Sequence, residues 1–387
     1  MSEVVLLGAG ASIQAGVPDA VRMAHAVMAL AESGTEAFGA YDFSRRDVAV
    51  PAREVLPRVH GELERWVEIQ ATKEAKPVTY GDYLRRYPFG LLEPDKPHAV
   101  DIEALYNAIA LLADADESIV SAFLRSDGVV ATDPDDLRDT LSFLKDAVIE
   151  LATIASVDAV AYLKPLIGAA KSQPRFVIAT LNYDNGIELA AEIGGFAVDT
   201  GMGTFWKTGK YQVAENGLVL LKLHGSVDWV LYRHRGIPEE VPVEPMFPHV
   251  VPRDKWRDRP PAVLFGGATK LDPNPPFLEV FQQFREELED CRRLTVVGYS
   301  FRDWHVNRAI LRWHLWDQRR VLRVIDPAAA DERWFWRALK TAGVHGNMHS
   351  YEYLTDQGRI QVIPKKVEEL TEADLWGQSV AEPRSAE

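Results

Sequence analysis

Four short runs of mostly apolar residues predict the strands of a sheet that is buried on both faces. They are residues 4–7, 176–179, 294–297 and 321–325. Apolar and polar positions do not alternate in these runs, which is typical of parallel strands covered by helices. Residues 218–223 and 263–265 are weaker candidates. Because helical patterns fall between the runs, we expect an α/β fold: a Rossmann-like, doubly wound, mostly parallel sheet.

A different pattern fills residues 21–171, which predict a large helical insertion. Apolar residues recur there every three to four positions, as on the buried face of a helix. Two such stripes predict core positions: Ala104, Leu105, Ala108, Leu111 and Leu112, and Leu137, Leu141, Leu144, Val148 and Leu151. We therefore expect one domain from residues 1–20 and 172–345, the insertion at 21–171, and a C-terminal segment at 346–387 whose end frays. The proline-rich stretches 238–252 and 260–276 predict irregular excursions at the sheet edge.

Composition narrows the class of protein. The 387 residues include 43 Lys and Arg against 57 Asp and Glu, a net charge of −14, which disfavours direct binding of nucleic acid. The start of the chain shows no targeting pattern and no run is long enough to span a membrane, so we expect a cytoplasmic protein.

The one cysteine, Cys291, excludes a cysteine-based zinc site. His345 and His349 have no H-E-x-x-H context, and we expect no metal.

The first candidate for chemistry is Gly8-Ala9-Gly10-Ala11-Ser12, directly after a predicted strand and before a predicted helix. Glycines allow a close approach of the backbone to a pyrophosphate, and the amides of a helix start stabilise its charge. Ile13 stands where the dinucleotide fingerprint has its third glycine. The alternative is a tight strand-to-helix turn.

Three more motifs follow predicted strands, at the edge where open α/β sheets bind ligands. Asn182 and Asp184 are suited to holding a water and a carboxamide, although Asp184 alone is also typical of a helix cap. His224, in Lys-Leu-His-Gly-Ser, is suited to act as a base on a ribose hydroxyl, although a lone histidine is more often structural. Gly298 and Ser300 offer further donors to phosphate.

Together these motifs resemble, in order and type, the sirtuin superfamily. Gly16-Val17-Pro18-Asp19 supplies a further element in register, and the resemblance covers residues 4–22 and 176–327. Asn-Tyr-Asp, Lys-Leu-His-Gly-Ser and Gly-Tyr-Ser-Phe-x-Asp-x-His-x-Asn look most like the bacterial defence-associated sirtuin-like domains that consume NAD during phage infection.

Two departures from the deacylase branch of that family disfavour protein deacylation. Deacylating sirtuins carry a four-cysteine zinc ribbon, which a chain with only Cys291 does not form. They also read Pro-Asp-Phe-Arg where this chain has Pro18-Asp19-Ala20-Val21-Arg22. Loss of the phenylalanine would open the reacting sugar carbon to water.

The resemblance also implies roles for individual residues. Asn182 would orient the attacking water, His224 would act on the ribose hydroxyls as a base, and Asp184 would hold the carboxamide. The remaining residues implied to bind the dinucleotide are Gly8, Ala9, Gly10, Ser12, Asp19, Gly298, Ser300 and Asp326. The assignment of Asp326 competes with helix capping.

The function implied is hydrolysis of NAD⁺ to nicotinamide and ADP-ribose by a regulated NAD-depleting effector of antiphage defence. NAD would be the substrate, without a metal. The alternatives are a non-catalytic module that senses NAD or ADP-ribose, and an ADP-ribosyl cyclase. Because an unregulated hydrolase would be toxic, we expect autoinhibition or activation by assembly into a homo-oligomer, with contacts within residues 80–151. The resemblance to defence systems also implies a separately encoded partner such as an ATPase or a nuclease. The tryptophan-rich stretch 303–318 predicts either a partner-facing helix or a sheet-covering one.

Overall fold

The computed structural model describes residues 2–33, 46–72, 100–115, 120, 134–233, 246–250, 261–265, 276–330, 355 and 357–376. Its packing divides the chain into two compact units. The sheet unit contains Met1–Val17, Thr153–Val263 and Leu271–Glu387, and the helical unit contains Pro18–Ala152 and Leu264–Lys270. The predicted fraying tail, the pair His345 and His349, and part of the predicted oligomer surface lie outside the described residues.

Within the described ranges, ten strands form two sheets. They are β1 Ser2–Leu7, β2 Arg175–Thr180, β3 Val198–Asp199, β4 Gly217–Lys222, β5 Gly225–Arg233, β6 Met246–Val250, β7 Pro261–Val263, β8 Cys291–Val297, β9 Val321–Ile325 and β10 Ile360–Ile363. Seven strands pair in the order β10-β9-β8-β1-β2-β4-β3, and all of their pairings are parallel. This confirms the Rossmann-like, doubly wound class. A small antiparallel sheet has the order β6-β5-β7.

The central strands β1 and β2 are apolar over most of their length because both faces of the sheet are covered. Residues 4–7 of β1 are at most 3% exposed, and β2 is similarly buried from Phe176 onward. After β2 the chain builds outward through β4, and it then returns to the other side of β1 at β8. In doubly wound sheets such a reversal of strand order opens a crevice at the carboxyl ends of the strands.

The described residues form ten α-helices. They are α1 Ala20–Ser33, α2 Arg46–Thr72, α3 Ile102–Ala113, α4 Pro134–Ala152, α5 Lys164–Lys171, α6 Gly186–Gly194, α7 Met202–Thr208, α8 Phe277–Asp290, α9 Trp304–Trp316 and α10 Glu372–Trp376. Helices α1 to α4 belong to the helical unit and the others to the sheet unit.

Both predicted apolar stripes of the helical unit form helices, α3 and α4, with a shifted buried face in α3. The side chain of Asp101 caps α3 by accepting from the Ala104 amide at 2.9 Å. Leu111, predicted as core, is 49% exposed, because the buried face is centred on Leu105 and Leu112 and extends toward Ile109. In α4, Leu137, Leu144 and Val148 are buried, whereas Leu141 and Leu151 are partly exposed.

Three other expectations differ from the structure. Residues 263–265 do not add a parallel strand, because β7 ends at Val263 and pairs antiparallel with β5. The proline-rich stretches contribute β6 and β7, since proline is tolerated at a sheet edge. The segment 153–171 was expected in the insertion. It packs instead in the sheet unit, where Val160, Leu163 and Ile167 share a core with Phe176 and Ile178.

Candidate active site

The carboxyl ends of the central strands lie level with one another. Leu7 pairs with Thr180 and with Val297, Thr180 pairs with Lys222, and Val297 pairs with Ile325. Each strand-end motif predicted from the sequence begins at or within a few residues of one of these positions. The fold therefore brings the loops after β1, β2, β4, β8 and β9 to one edge of the sheet.

The backbones of the loops after β1 and β8 pack closely against each other at three glycines. A Cβ on Gly10 would lie 2.9 Å from the Gly298 Cα, and one on Gly8 would lie 2.6 Å from the Tyr299 Cα. Gly298 has φ +61°, a left-handed conformation that favours glycine, and its own Cβ would lie 2.6 Å from the Ala11 nitrogen. All three glycines are thus required for the packing of backbone on backbone.

The amides of the first loop are mostly engaged by protein carbonyls. Gly8 donates to Val297 O at 2.9 Å and Gly10 to Gly298 O at 2.8 Å, while Ala11 and Ser12 donate within the loop. The helix expected directly after this loop is absent from the described residues 8–19: two 3-10 turns, Ala9–Ala11 and Ile13–Ala15, precede α1. A phosphate at this loop would therefore exchange some of these hydrogen bonds for its own.

A chain of hydrogen bonds joins Asn182, Ser12 and Asp184. The Asn182 Nδ2 donates to Gly8 O at 2.9 Å and to the Ser12 Oγ at 2.8 Å, and the Ser12 hydroxyl donates to the Asp184 Oδ2 at 2.6 Å. A carbonyl only accepts, so the Gly8 contact fixes which end of the Asn182 amide is the nitrogen. Both hydrogens of that nitrogen are used, and the carboxamide oxygen remains as an acceptor.

Asp184 also has the capping role that its sequence context allows. Its Oδ1 accepts from the Gly186 amide at 2.9 Å, at the start of α6, and the residue is only 7% exposed. The two carboxylate oxygens therefore hold different partners, the helix start and Ser12.

A buried lysine lies beneath this cluster. The Lys222 side chain is fully buried, and its Nζ donates to Asp184 O at 2.6 Å and to the Glu188 Oε1 at 2.8 Å. Burial raises the pKa of Glu188, and the Lys222 charge opposes that rise. The other oxygen, Glu188 Oε2, is buried and has no hydrogen-bond partner among the described residues. A cavity of about 10 Å³, lined by Glu188, Ser12 and Asn182, has room for one water to donate to it.

Tyr162 fixes the first loop from the other side. Its hydroxyl donates to Ala11 O at 2.7 Å. Burial raises the pKa of Tyr162, and the nearby Asp184 carboxylate raises it further, so the phenol keeps its proton.

His224 forms a second group with residues of the loop after β8. It is 1% exposed, its Nε2 lies 4.0 Å from the Asp303 Oδ1, and its ring centroid is 6.0 Å from that of His305. Gly225, which follows it, has φ +86° and lies against the backbone of Ala262. The Nε2–Oδ1 distance is too long for a hydrogen bond, so His224 and Asp303 are neighbours in the site and form an ion pair only when the histidine is protonated.

The loop after β8 is held in a strained shape by side-chain bonds. The Tyr299 hydroxyl donates to the Asn307 Oδ1 at 2.9 Å, and the Asn307 Nδ2 donates to Phe301 O at 2.6 Å. Phe301 has φ +55°, which is uncommon for an aromatic residue and typical of functional loops. Ser300, beside it, is exposed.

Two predicted binding residues have described contacts typical of capping. Asp19 belongs to the helical unit, where its Oδ1 accepts from the Val21 and Arg22 amides at 3.1 and 2.9 Å. The Asp326 Oδ1 accepts from the Ala328 amide at 2.8 Å, and burial raises the pKa of Asp326. Their roles in binding remain predictions.

Several residues of the site were not singled out in the sequence. Lys222 had a signal, since a lysine inside an apolar strand needs a buried partner. Glu188, four positions after Asp184, is that partner. Asp303 belongs to the motif that follows the β8 strand, but no role was predicted for it. Tyr162 had no comparable signal, because it reaches the site from a distant part of the chain. Across the described ranges no group of three metal-ligating side chains occurs. In the same ranges no helix is long and apolar enough to cross a membrane.

Comparison with known proteins supports the resemblance. A family model described as SIR2-like domain matches residues 177–340, a range that includes Asn182, Asp184, His224 and Gly298. Among solved structures, a mutant Sir2 homologue in complex with 2'-O-acetyl ADP-ribose is 13% identical, with 97% of this chain and 90% of that chain covered and a TM-score of 0.36. A Sir2 homologue–NAD complex is also 13% identical, with 97% and 88% covered and a TM-score of 0.35. No curated protein matches the chain.

Proposed function

We propose that this protein, which carries a SIR2-like domain, is an NAD⁺ glycohydrolase. It would cleave the nicotinamide–ribose bond of NAD⁺ with water, giving nicotinamide, ADP-ribose and a proton. Support comes from the carboxyl edge of the sheet, where the four motifs meet in the order and type of the family.

The orientation of Asn182 is the observation that carries the proposal. Its amide nitrogen is held by Gly8 O and the Ser12 Oγ, so its carboxamide oxygen is the atom left to accept from a ligand. An oriented acceptor of this kind can take a hydrogen bond from a water and aim the oxygen of that water at an electrophilic carbon. Asn182 would thus position the nucleophile without changing its own charge.

The reaction needs little acid catalysis, because the nicotinamide leaves as a neutral molecule. One bond breaks, between the ribose C1' and the nicotinamide nitrogen, and its electron pair goes to the nicotinamide ring. One bond forms, between C1' and the water oxygen, and the water releases a proton. His224, whose Nε2 lies 4.0 Å from the Asp303 Oδ1, would act as a base on the ribose hydroxyls.

The other site residues would bind the substrate. Asp184 keeps free lone pairs on both carboxylate oxygens, each of which accepts one described hydrogen bond, and it would hold the carboxamide of the nicotinamide. Gly8, Ala9, Gly10 and Ser12 would meet the pyrophosphate, and Gly298 and Ser300 the adenosine side. Asp326 would take a hydroxyl of the adenine ribose.

We also propose a biological setting for this activity. The residues of the motifs favour a cytoplasmic effector that depletes NAD during phage infection. Because an unregulated hydrolase would be toxic, it would act as a regulated homo-oligomer, together with a separately encoded partner. Deacylation is disfavoured because Cys291 is the one cysteine of the chain.

Incubation of the purified chain with NAD⁺, followed by chromatography, tests the activity. We expect nicotinamide and linear ADP-ribose, both lost in Asn182→Ala and His224→Ala. His25→Ala, an exposed histidine of α1, is the matched control and should keep full activity. Cyclic ADP-ribose as the main product would identify a cyclase. NAD⁺ binding without turnover, with or without partner proteins, would identify a sensor, and an active Asn182→Ala/His224→Ala variant would refute the assignment.

A further inference from the structure

A second cavity lies between α8 and α9, away from the candidate active site. Its volume is about 300 Å³. One face of each helix lines it, and its polar and aromatic side chains are those of Arg285, Glu289, Arg312, Trp313, Trp316 and Arg320. We call it the arginine groove. A volume of this size is at the lower end of the range for small-molecule sites.

The arginine groove is positively charged on a strongly acidic protein. Three arginines and one glutamate line it, whereas the whole chain has a net charge of −14. Arg285 and Arg312 are exposed, and neither has a hydrogen bond or ion pair among the described residues. Arg320 donates to two backbone carbonyls, Trp313 O at 2.8 Å and Glu289 O at 2.9 Å, and its guanidinium is also near the Asp317 carboxylate. The groove therefore attracts anions.

Two tryptophans give the groove an aromatic wall and floor. Trp313 is 3% exposed, its Nε1 donates to Cys291 O at 3.1 Å, and the Arg320 guanidinium lies 5.7 Å from its ring centroid. Trp316, three residues on, is 79% exposed. The exposed Trp316 ring lines the groove together with the three arginines, and such a ring is suited to stacking on a planar ligand.

We propose that the arginine groove binds a small aromatic anion, of the size and chemistry of a nucleoside monophosphate. Its phosphate would pair with the guanidinium groups of Arg285 and Arg312, which match phosphate oxygens in a bidentate way. Its base would stack on Trp316. A cavity of about 300 Å³ has the size of a small-molecule site. A stable protein interface is instead an extended surface that buries about 1,000 Å² or more.

This site is separate from the candidate active site. Trp313 contacts Cys291 at the beginning of β8, and Arg320 directly precedes β9. Both positions are at the amino ends of the strands, whereas the predicted catalytic motifs follow the carboxyl ends. A test of binding at the groove can consequently fail or succeed whether or not the chain hydrolyses NAD⁺.

Calorimetry on the full-length chain tests the proposal, with AMP as the probe. We expect saturable binding that weakens at least tenfold in Arg312→Gln and in Trp316→Leu. Arg308→Gln, which removes an exposed arginine of α9 outside the groove lining, is the matched control and should bind AMP as the wild type does. Adenosine lacks the charge and ribose 5-phosphate lacks the ring, so each should bind at least tenfold more weakly than AMP.

Arg312→Gln and Trp316→Leu also check the location of AMP, because both residues line the groove and neither belongs to the candidate active site. Equal affinity of AMP for the wild type, Arg312→Gln and Trp316→Leu would overturn the proposal, as would the absence of binding at millimolar AMP. Because Arg312 and Trp316 are exposed, both variants should fold, and circular dichroism would verify this.

Discussion

Replacing Lys222 by methionine tests the buried ammonium group beneath the candidate active site. Methionine keeps the length of the apolar stem and removes the charge that contacts Asp184 O at 2.6 Å and the Glu188 Oε1 at 2.8 Å. Removing one partner of a buried ion pair costs about 3–5 kcal/mol. Since the Glu188 side chain is 27% exposed, water compensates in part, and we expect a loss of about 2–3 kcal/mol in the free energy of unfolding at neutral pH.

The loss should depend on pH in a definite direction. Burial raises the pKa of Glu188 above its ordinary value of 4.5, and Lys222 is the main group that opposes the rise. Without Lys222 the pKa rises further. Between pH 4.5 and that raised pKa the folded state holds a proton that the unfolded state has lost, so stability falls as the pH rises through this window. The free energy of unfolding of Lys222→Met should therefore fall furthest below that of the wild type at pH 7 to 8 and should be closer to it at acid pH.

Urea unfolding followed by tryptophan fluorescence reports on the unit that contains Lys222, because Trp229, Trp304, Trp313 and Trp316 belong to the same sheet unit. Glu188→Gln and the double variant complete a mutant cycle. The double variant should lose less than Lys222→Met and should lose its pH dependence. A Lys222→Met protein within about 0.5 kcal/mol of wild type at pH 8 would refute the reasoning, as would a deficit of the same size whether or not Glu188→Gln is also present.

Three further variants test other parts of the sheet unit by urea unfolding. Gly298→Ala should lose about 2 kcal/mol or more, because a Cβ would lie 2.6 Å from the Ala11 nitrogen and φ is +61°. Gly203→Ala, in α7 with open space around it, should be neutral or slightly stabilising, and similar losses at both positions would contradict the packing argument. Burial, aided by Arg359, lowers the pKa of His314 to about 4, so the unfolded state binds the proton first and stability is lost as the pH falls from 6.5 to about 4. His314→Phe should flatten this acid dependence, and an unchanged dependence would exclude His314 as its source. Tyr162→Phe should cost about 1 kcal/mol through loss of its 2.7 Å bond to Ala11 O, and a neutral result would show that a water replaces the hydroxyl.

The sequence predicted the central strands well because their pattern has one physical cause. A parallel strand covered on both faces needs apolar residues at consecutive positions, and residues 4–7 and 176–179 have them. β10 was missed because it is short and edge-placed, with Gln361 in its middle bonded to the Arg323 guanidinium. Leu111 shows the opposite failure, since a helix can carry more apolar residues than its buried face accommodates.

The candidate site was predictable at its strand ends and not beyond them. Asn182, Asp184 and His224 follow strands directly, and parallel pairing alone aligns them at one edge. The contacts of Tyr162, Glu188 and Asp303 depend on how helices and loops pack over that edge. The glycines of the first loop were interpreted through phosphate binding, whereas the structure shows that the loop after β8 also requires them.

The long separation in sequence between neighbouring strands has a consequence for the synthesis of this protein. Ser12 and Asp184 are 172 positions apart, and Gly10 packs against Gly298, which emerges from the ribosome only after most of the chain. Contacts between such distant segments form late, because the intervening chain must first be ordered or closed into a loop. A nascent or truncated chain that ends before β8 lacks one wall of the site. Any activity of this edge of the sheet is therefore withheld from chains that end before β8, and the cell that makes the protein is exposed to it only after β8 and the following loop have been synthesised.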